Sequence, residues 1–296
     1  MIERKKIDLS AQPVFAEYIH NEPNSTYNFT NMFMWADETA ITYAVVADCL
    51  VLFFQNDRHP VSASYPIGNG DKRQALREVA AYIEGFGLRP VFRNLSDWMK
   101  DEIEELYPGC FEYVEDRAAA DYIYETEKLI QLSGKKLHAK RNHYNFFKKT
   151  YPYVYKELTA ADMPDCMALF DTWIHEKEDL RWGGGSREAT RRLVANFDAL
   201  PVRAGGIYID GELIAFSIGE PVSEDTALIH VEYATDVHGA FNAINHDFCE
   251  HAWADFRYVN REEDMGLDGL RQAKLAYRPS KLLTKTNAVL IKSLEN

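Results

Sequence analysis

The stretch VRAGGIYIDGELIAFSIGE, Val202 to Glu220, contains the strongest hairpin signal in the chain. Its two apolar halves meet at Asp210-Gly211, a dipeptide that suits a tight turn because both residues tolerate positive φ. The pattern predicts two strands, Val202–Ile209 and Leu213–Glu220. The second half of the chain therefore contains a long antiparallel hairpin.

The elements on both sides of this hairpin follow an ordered series. After a strand at Val154–Leu158 and two helices, the hairpin is followed by strand Thr226–Ala234, helix Ala240–Ala254, strand Tyr258–Asn260, helix Leu267–Ala276 and a final strand at about Leu282–Ile291. This order matches the GNAT acyltransferase fold, in which a long hairpin precedes a βαβ unit. The first half shows a less regular version of the same order of strands and helices. A length of 296 residues is sufficient for two domains.

Composition narrows the class of protein. With 46% hydrophobic and 13% aromatic residues, the chain can form packed cores and is not disordered. No apolar run approaches the roughly 20 residues of a membrane span, and the N-terminus lacks the apolar region of a secretory signal. We therefore expect no integral membrane segment. The net charge of -13 argues against bulk nucleic-acid binding.

Cysteine usage indicates the compartment. Cys49, Cys110, Cys166 and Cys249 are far apart and form no CxxC pair. This spacing suits a reducing cytoplasm and argues against a disulfide framework or a cysteine-based zinc site. We expect a cytoplasmic protein.

The segment LSGKKLHAKRNHYNFFKKTYP, Leu132 to Pro152, differs most from the rest of the chain. It carries six basic residues before Pro152 and no acid. Leu137, Tyr144 and Phe147 fall on one stripe at helical spacing, which predicts a helix packed by that face. Its lysines and arginine either form a solvated face or bind an anion, and the absence of acids at i±4 favours the anion.

Three segments resemble a known family. They are YNFTNMFMW (Tyr27 to Trp35), the basic segment from Gly134 to Pro152, and REEDMGLDGLRQAKLAYRPSK (Arg261 to Lys281). Together they resemble the stand-alone soluble family related to the C-terminal domain of phosphatidylglycerol lysyltransferases, over nearly the whole chain. The resemblance implies an α/β fold of two tandem GNAT-like domains with mixed sheets flanked by helices, as in the Fem-type aminoacyl transferases.

The predicted division follows from this resemblance. Residues 1–133 form an N-terminal GNAT-like domain, residues 134–152 a basic connecting helix, and residues 153–296 a C-terminal GNAT-like domain. Members of the membrane-linked branch move an amino acid from aminoacyl-tRNA to a lipid headgroup. The resemblance thus implies a transferase, with the acceptor end of an aminoacyl-tRNA as a partner and a small molecule or peptide as acceptor.

Three residues are candidates for catalysis. Glu232 and Tyr233 end the strand Thr226–Ala234, where GNAT-type sheets splay and bind substrate. A carboxylate there orients or deprotonates an attacking amine, and a tyrosine donates a proton. Asp264 is predicted to bind the amino group of an aminoacyl moiety, with Arg261 on its anionic side. The alternative is that Asp264 or Asp268 only caps the next helix.

Two basic clusters are candidates for binding the donor anion. The first lies on the basic helix, and the second lies between Leu270 and Lys285, where no acid occurs. Solvated faces, or pairing with the excess acid of the protein, are the alternatives. The predicted donor-binding residues are Lys136, Lys140, Arg141, Arg261, Lys274, Arg278 and Lys281.

No resident cofactor or metal is predicted. His246, Cys249 and Glu250 share a helix face with spacing that suits a metal, but we prefer core packing because no further ligands are evident. In GNAT enzymes a glycine-rich turn at the position of residues 234–240 binds the pyrophosphate of coenzyme A. Here the turn has one glycine and the acidic Asp236, so the sequence supports coenzyme A binding only weakly.

The sequence predicts an acyl- or aminoacyltransferase acting by direct attack. A coenzyme A-dependent N-acetyltransferase and a non-catalytic binding protein that kept the fold are the alternatives.

Overall fold

The computed structural model describes residues 2–56, 59–176 and 183–294. The chain forms two compact units, and each contains a seven-stranded mixed sheet with helices packed on it. The fold class is the one predicted, α/β with mixed sheets flanked by helices.

The first unit comprises Met1–Asp121 and Leu283–Asn296. Its strands are β1 (Lys5–Lys6), β2 (Thr42–Val46), β3 (Cys49–Asn56), β4 (His59–Ser64), β5 (Val91–Leu95), β6 (Phe111–Glu115) and β14 (Thr286–Leu290), in the order β1-β2-β3-β4-β5-β14-β6. Its helices are α1 (Gln12–Tyr18), α2 (Phe29–Thr39), α3 (Lys72–Glu84) and α4 (Asp97–Leu106). Only β4 and β5 pair in parallel among these neighbours.

The second unit comprises Tyr122–Leu282. Its strands are β7 (Asp121–Glu125), β8 (Tyr153–Leu158), β9 (Arg203–Ile209), β10 (Glu212–Pro221), β11 (Thr226–Ala234), β12 (Tyr258–Asn260) and β13 (Lys281–Leu283), in the order β13-β7-β12-β11-β10-β9-β8. Its helices are α5 (Thr126–Gln131), α6 (His138–Thr150), α7 (Met163–Glu176), α8 (Gly183–Ala195), α9 (Ala240–Ala252) and α10 (Asp268–Ala276). Strands β11 and β12 are parallel.

The predicted hairpin is confirmed as β9 and β10. Asp210 and Gly211 both have positive φ, 51° and 86°, which matches the twist of a tight turn to that of the strands. The two strands pair from Glu212 and Ile209 at the turn to Gly219 and Arg203 at the far end. The hairpin thus supplies two interior strands of the second sheet, between β11 and β8.

The basic segment forms α6, preceded by a short 3-10 turn. Leu137, Tyr144 and Phe147 are buried, so the predicted packing face is confirmed. The helix lies against α9, and the Tyr144 hydroxyl donates to Asp247 Oδ1 at 3.0 Å. Helix α6 belongs wholly to the second unit.

The compact units have different limits from the predicted domains. Strand β7 lies before the basic helix in the chain, yet it pairs with β12 in the second sheet. The predicted final strand is two strands, because β13 joins the second sheet while β14 lies between β5 and β6 of the first. The C-terminal segment therefore completes the first unit.

A buried ion pair holds this returning segment in the first unit. Lys285 Nζ lies 2.7 Å from Asp121 Oδ1 and 2.8 Å from Ser25 Oγ. All three side chains are buried, so the pair forms in a low-dielectric environment.

Among the described residues, no helix has the length and apolar character to cross a membrane.

Candidate functional site

A gap opens beside β11 in the second unit. The parallel pairing of β11 with β12 ends at Leu228 and Asn260, although β11 continues to Ala234. The chain after Asn260 stays with β7 instead: Arg261 N donates to Tyr122 O, and Tyr122 N donates to Glu262 O. Side chains, not backbone hydrogen bonds, therefore bridge β11 and residues 261–262.

The first bridge is an ion pair. Glu232 projects from β11, and its Oε1 lies 2.7 Å from Arg261 Nη2. Asn245 on α9 donates to the other carboxylate oxygen at 3.1 Å. The side chains of Glu232 and Arg261 are 9% and 14% exposed. Burial disfavours the charged guanidinium, but Glu232, Tyr124 and Tyr277 together outweigh burial and raise the pKa of Arg261 above its ordinary value.

Arg261 keeps one donor unused. Its Nη1 atom is buried and has no hydrogen-bond partner among the residues that the structure describes. The guanidinium carbon lies 5.0 Å from the centroid of the Tyr277 ring and 5.7 Å from that of Tyr124. A buried donor without an acceptor is costly, so this atom is suited to receive a ligand oxygen.

A second cation lies against the same tyrosine. Lys140 Nζ is 4.3 Å from the centroid of the Tyr277 ring. Burial lowers the pKa of Lys140, the charge of Arg261 lowers it further, and Glu232 partly offsets both effects. Lys140 and Arg261 together carry two positive charges against the one carboxylate of Glu232. This arrangement favours an anionic ligand.

The second bridge is a buried Glu-His-Glu group, which the sequence reasoning missed. The side chain of His230 is 0% exposed; its Nε2 lies 2.9 Å from Glu220 Oε1 and its Nδ1 lies 3.3 Å from Glu262 Oε1. Burial lowers the pKa of His230, but the hydrogen bonds to Glu220 and Glu262 raise it to about 9. His230 and Glu232 are two residues apart in one strand, and this spacing was the available signal.

Two predicted catalytic residues lie in different surroundings from Glu232. Tyr233 packs on Phe170 and Phe216, with ring centroids 4.2 and 5.6 Å away, and burial raises its pKa to about 12. Asp264 accepts hydrogen bonds from Tyr122, Arg271 and the Gly266 amide.

The environment of Asp264 is built to hold a charged carboxylate. Arg271 donates through two nitrogens at 2.8 and 2.9 Å, and the Tyr122 hydroxyl donates at 2.6 Å. Burial raises the pKa of Asp264, but these hydrogen bonds and that of Gly266 outweigh it and hold the pKa well below its ordinary value. The carboxylate does not cap α10, because the N-cap position is Leu267 and has no side-chain hydrogen bond.

The predicted basic clusters separate into different environments. Lys274 is buried, and its ammonium donates to the carbonyl oxygens of residues 261, 262 and 263. Arg141 donates to the Leu132 carbonyl at 2.7 Å, at the end of α5. Three of the predicted donor-binding residues are exposed, namely Lys136, Arg278 and Lys281. Of the predicted donor-binding residues, the structure thus brings Lys140 and Arg261 together on Tyr277.

The turn before α9 holds a helix contact. Gly239 has φ of 88°, and an added Cβ would lie 2.7 Å from the His143 carbonyl oxygen and 2.9 Å from Phe147 Cβ. The glycine therefore allows α6 to approach the start of α9. Cys249, for which the sequence favours core packing over metal binding, is buried, and its thiol interacts electrostatically with Glu232 and Arg261.

Comparison with known proteins agrees with this fold. The family model described as "Phosphatidylglycerol lysyltransferase, C-terminal" matches residues 19–288. The chain belongs to this family. Membership of this family and the fold shared with L-PGS and FemX give the chain a transferase-like fold.

Solved structures share the fold of this phosphatidylglycerol lysyltransferase C-terminal family member. A conserved protein of unknown function from Bacteroides thetaiotaomicron VPI-5482 is 34% identical with a TM-score of 0.91, over 98% of this chain and 100% of the other. L-PGS from Bacillus licheniformis is 16% identical with a TM-score of 0.70, over 97% and 93%. FemX is 9% identical with a TM-score of 0.61, over 98% and 97%.

A curated relative in Mycoplasmoides gallisepticum is described as an uncharacterized protein. It is 23% identical over 171 residues, which are 57% of this chain. The match covers 55% of that relative, so the chain spans about half the length of the curated relative it matches.

Proposed function

We propose that this protein transfers an acyl or aminoacyl group from an activated donor to an amine or hydroxyl acceptor in the gap beside β11. The observation that carries the proposal is the unused Nη1 donor of Arg261, which is buried next to Glu232. Such a donor, fixed in a site of low dielectric, stabilises negative charge on a bound group. The shared family and fold of lysyltransferase C-terminal domains support the same reaction class.

The proposed reaction is a direct displacement. The acceptor nitrogen or oxygen forms a bond to the donor carbonyl carbon, the ester bond to the leaving oxygen breaks, and the acceptor proton ends on that oxygen. Glu232 orients the acceptor amine, while Arg261 and Lys140 face the negative charge of the donor. The fixed position of Glu232 supports this role, because Arg261 holds one of its carboxylate oxygens and Asn245 the other.

An aminoacyl-tRNA is the donor that this proposal favours. Its acceptor end presents a few phosphates next to the ester, and the gap holds two cations, Lys140 and Arg261, against one carboxylate. This excess suits a single anionic group better than a long nucleic-acid track, which needs many phosphate contacts.

Donor binding and transfer are tested separately. Binding is measured by filter retention of tRNA charged with radiolabelled lysine, with uncharged tRNA and acetyl-CoA as comparison ligands. Transfer is followed as label passing from tRNA to small amines, dipeptides or phosphatidylglycerol vesicles. We expect binding of the charged tRNA and label transfer to one acceptor class.

A matched pair of variants on α6 locates the binding site. Lys140→Gln removes a cation that lies on Tyr277, and we expect about tenfold weaker donor binding. Lys149→Gln removes an exposed lysine of the same helix and leaves donor binding unchanged. Equal binding by the two variants contradicts the proposed site. Binding without transfer to any acceptor contradicts the enzyme and supports a binding protein.

A further inference from the structure

A cavity of about 500 Å³ lies in the second unit beside α6, β8 and α9. Tyr144, Tyr153 and Tyr155 line it together with Asp247 and Glu250 of α9. The gap beside β11 faces other residues of that helix, namely Asn245 and Cys249. The cavity is therefore a second polar site that the proposed transfer reaction does not use.

Three potential metal ligands lie close together on α9, and two of them, Asp247 and Glu250, line this cavity. His246, Asp247 and Glu250 each offer one ligand atom, and these atoms lie within 4.8 Å of one another. His246 Nδ1 is 2.7 Å from Asp247 Oδ1 and 4.0 Å from Glu250 Oε2. A tetrahedral site with bonds of about 2.1 Å separates its ligand atoms by about 3.4 Å. The two distances from His246 therefore each need to change by less than 1 Å.

Neighbouring side chains fix two of these ligands. The ring of Tyr144 stacks on His246 with centroids 3.9 Å apart and an interplanar angle of 19°. The hydroxyl of the same tyrosine donates to Asp247 at 3.0 Å. Partners of this kind orient metal ligands and reduce the entropy lost on binding. Glu250 is 50% exposed and can move to close the site.

We propose that His246, Asp247 and Glu250 bind a divalent transition metal of the zinc type at this cavity. An imidazole nitrogen with two carboxylate oxygens is a ligand set for Zn²⁺ or Co²⁺, whereas Mg²⁺ and Ca²⁺ take oxygen ligands. Three protein ligands leave one coordination position open, and Asp247 and Glu250 line the cavity into which that position opens. Spacing along the helix had suggested Cys249, but Asp247 takes its place.

Calorimetric titration of the chelator-treated full-length protein with Zn²⁺ tests the site. We expect one equivalent to bind, Co²⁺ to give a visible absorption band on binding, and an equal concentration of Mg²⁺ not to compete. Glu250→Gln changes a half-exposed residue, so the fold is kept, and we expect at least tenfold weaker Zn²⁺ binding.

His251→Gln is the matched control. His251 lies on the same helix and lines the same cavity, but it is outside the three-residue group, so its loss should leave Zn²⁺ affinity unchanged. The proposal is overturned if the wild-type protein binds no Zn²⁺, or if Glu250→Gln binds as tightly as wild type. It is equally overturned if His251→Gln loses binding while Glu250→Gln keeps it.

Discussion

The guanidinium of Arg261 lies 2.7 Å from the carboxylate of Glu232, across the gap where β11 loses its parallel neighbour. The pair replaces backbone hydrogen bonds with two charges, and one donor of the arginine remains unused. The proposed transfer site is built on this departure from regular pairing.

Removing either member of this pair should destabilise the protein. Glu232→Gln leaves a buried guanidinium and Arg261→Gln leaves a buried carboxylate, so we expect each to lower the free energy of unfolding by about 3 kcal/mol. The double variant should cost less than the sum, since neither charge remains. Urea unfolding of the three variants measures this coupling, and strictly additive losses would show that the two groups do not interact.

Stability should fall as pH rises, because of His230. The pKa of His230 is raised from 6.5 to about 9 in the folded protein. Its contribution is therefore fully present below pH 6.5 and is lost as pH rises through about 9, by roughly 3 kcal/mol in all. Urea unfolding between pH 6 and 9.5 measures the effect.

His230→Gln provides the control for that measurement. The variant should be less stable than wild type at pH 6 and should show a smaller decline towards pH 9.5. If both proteins decline equally, the Glu-His-Glu group is not the source of the pH dependence.

Gly239→Ala and Gly211→Ala separate steric conflict from backbone strain. Both glycines have similar positive φ, 88° and 86°, but a Cβ at Gly211 meets nothing within 4 Å. We expect Gly211→Ala to cost about 1 kcal/mol from strain alone. Gly239→Ala should cost about 3 kcal/mol, because a Cβ also displaces the His143 carbonyl of α6. Similar losses in thermal unfolding would argue against close packing of α6 on α9.

Asp264→Asn distinguishes support of the fold from chemistry. Arg271 and Tyr122 donate to the carboxylate, so we expect a loss of about 2 kcal/mol in the free energy of unfolding. Transfer activity, measured well below the unfolding temperature, should stay within a few-fold of wild type. A stable variant without transfer activity would instead make Asp264 a chemical participant, as the sequence suggested.

Local patterns were sufficient for much of the second sheet. The dipeptide Asp210-Gly211 predicts the turn between β9 and β10, because both residues tolerate the positive φ that they adopt there. Strand β11 has the predicted limits, Thr226–Ala234. The contacts of the basic residues could not be predicted from local patterns. Lys274 and Arg141 look like surface charges in the sequence, but both bind backbone carbonyls that only the folded chain brings near.

The pairing of strands that are far apart in the sequence could not be predicted from local residue patterns. Nothing in the residues of β14 indicates that they insert between β5 and β6, because a strand's partners are set by distant parts of the chain. The same limit applies to His230, whose strand neighbour Glu232 was evident but whose partners Glu220 and Glu262 were not.

The returning strand β14 has a consequence for how the protein is made. While a ribosome is still translating residues 122–282, strand β14 is not yet available to insert between β5 and β6 of the first sheet. The ion pair of Lys285 with Asp121 cannot form at this stage either. The second unit has all its strands as soon as residue 283 emerges, so it can fold while the first is unfinished. Of the two units, the one that begins earlier in the chain is therefore completed later, and its open strand edges are exposed to misassociation during that interval.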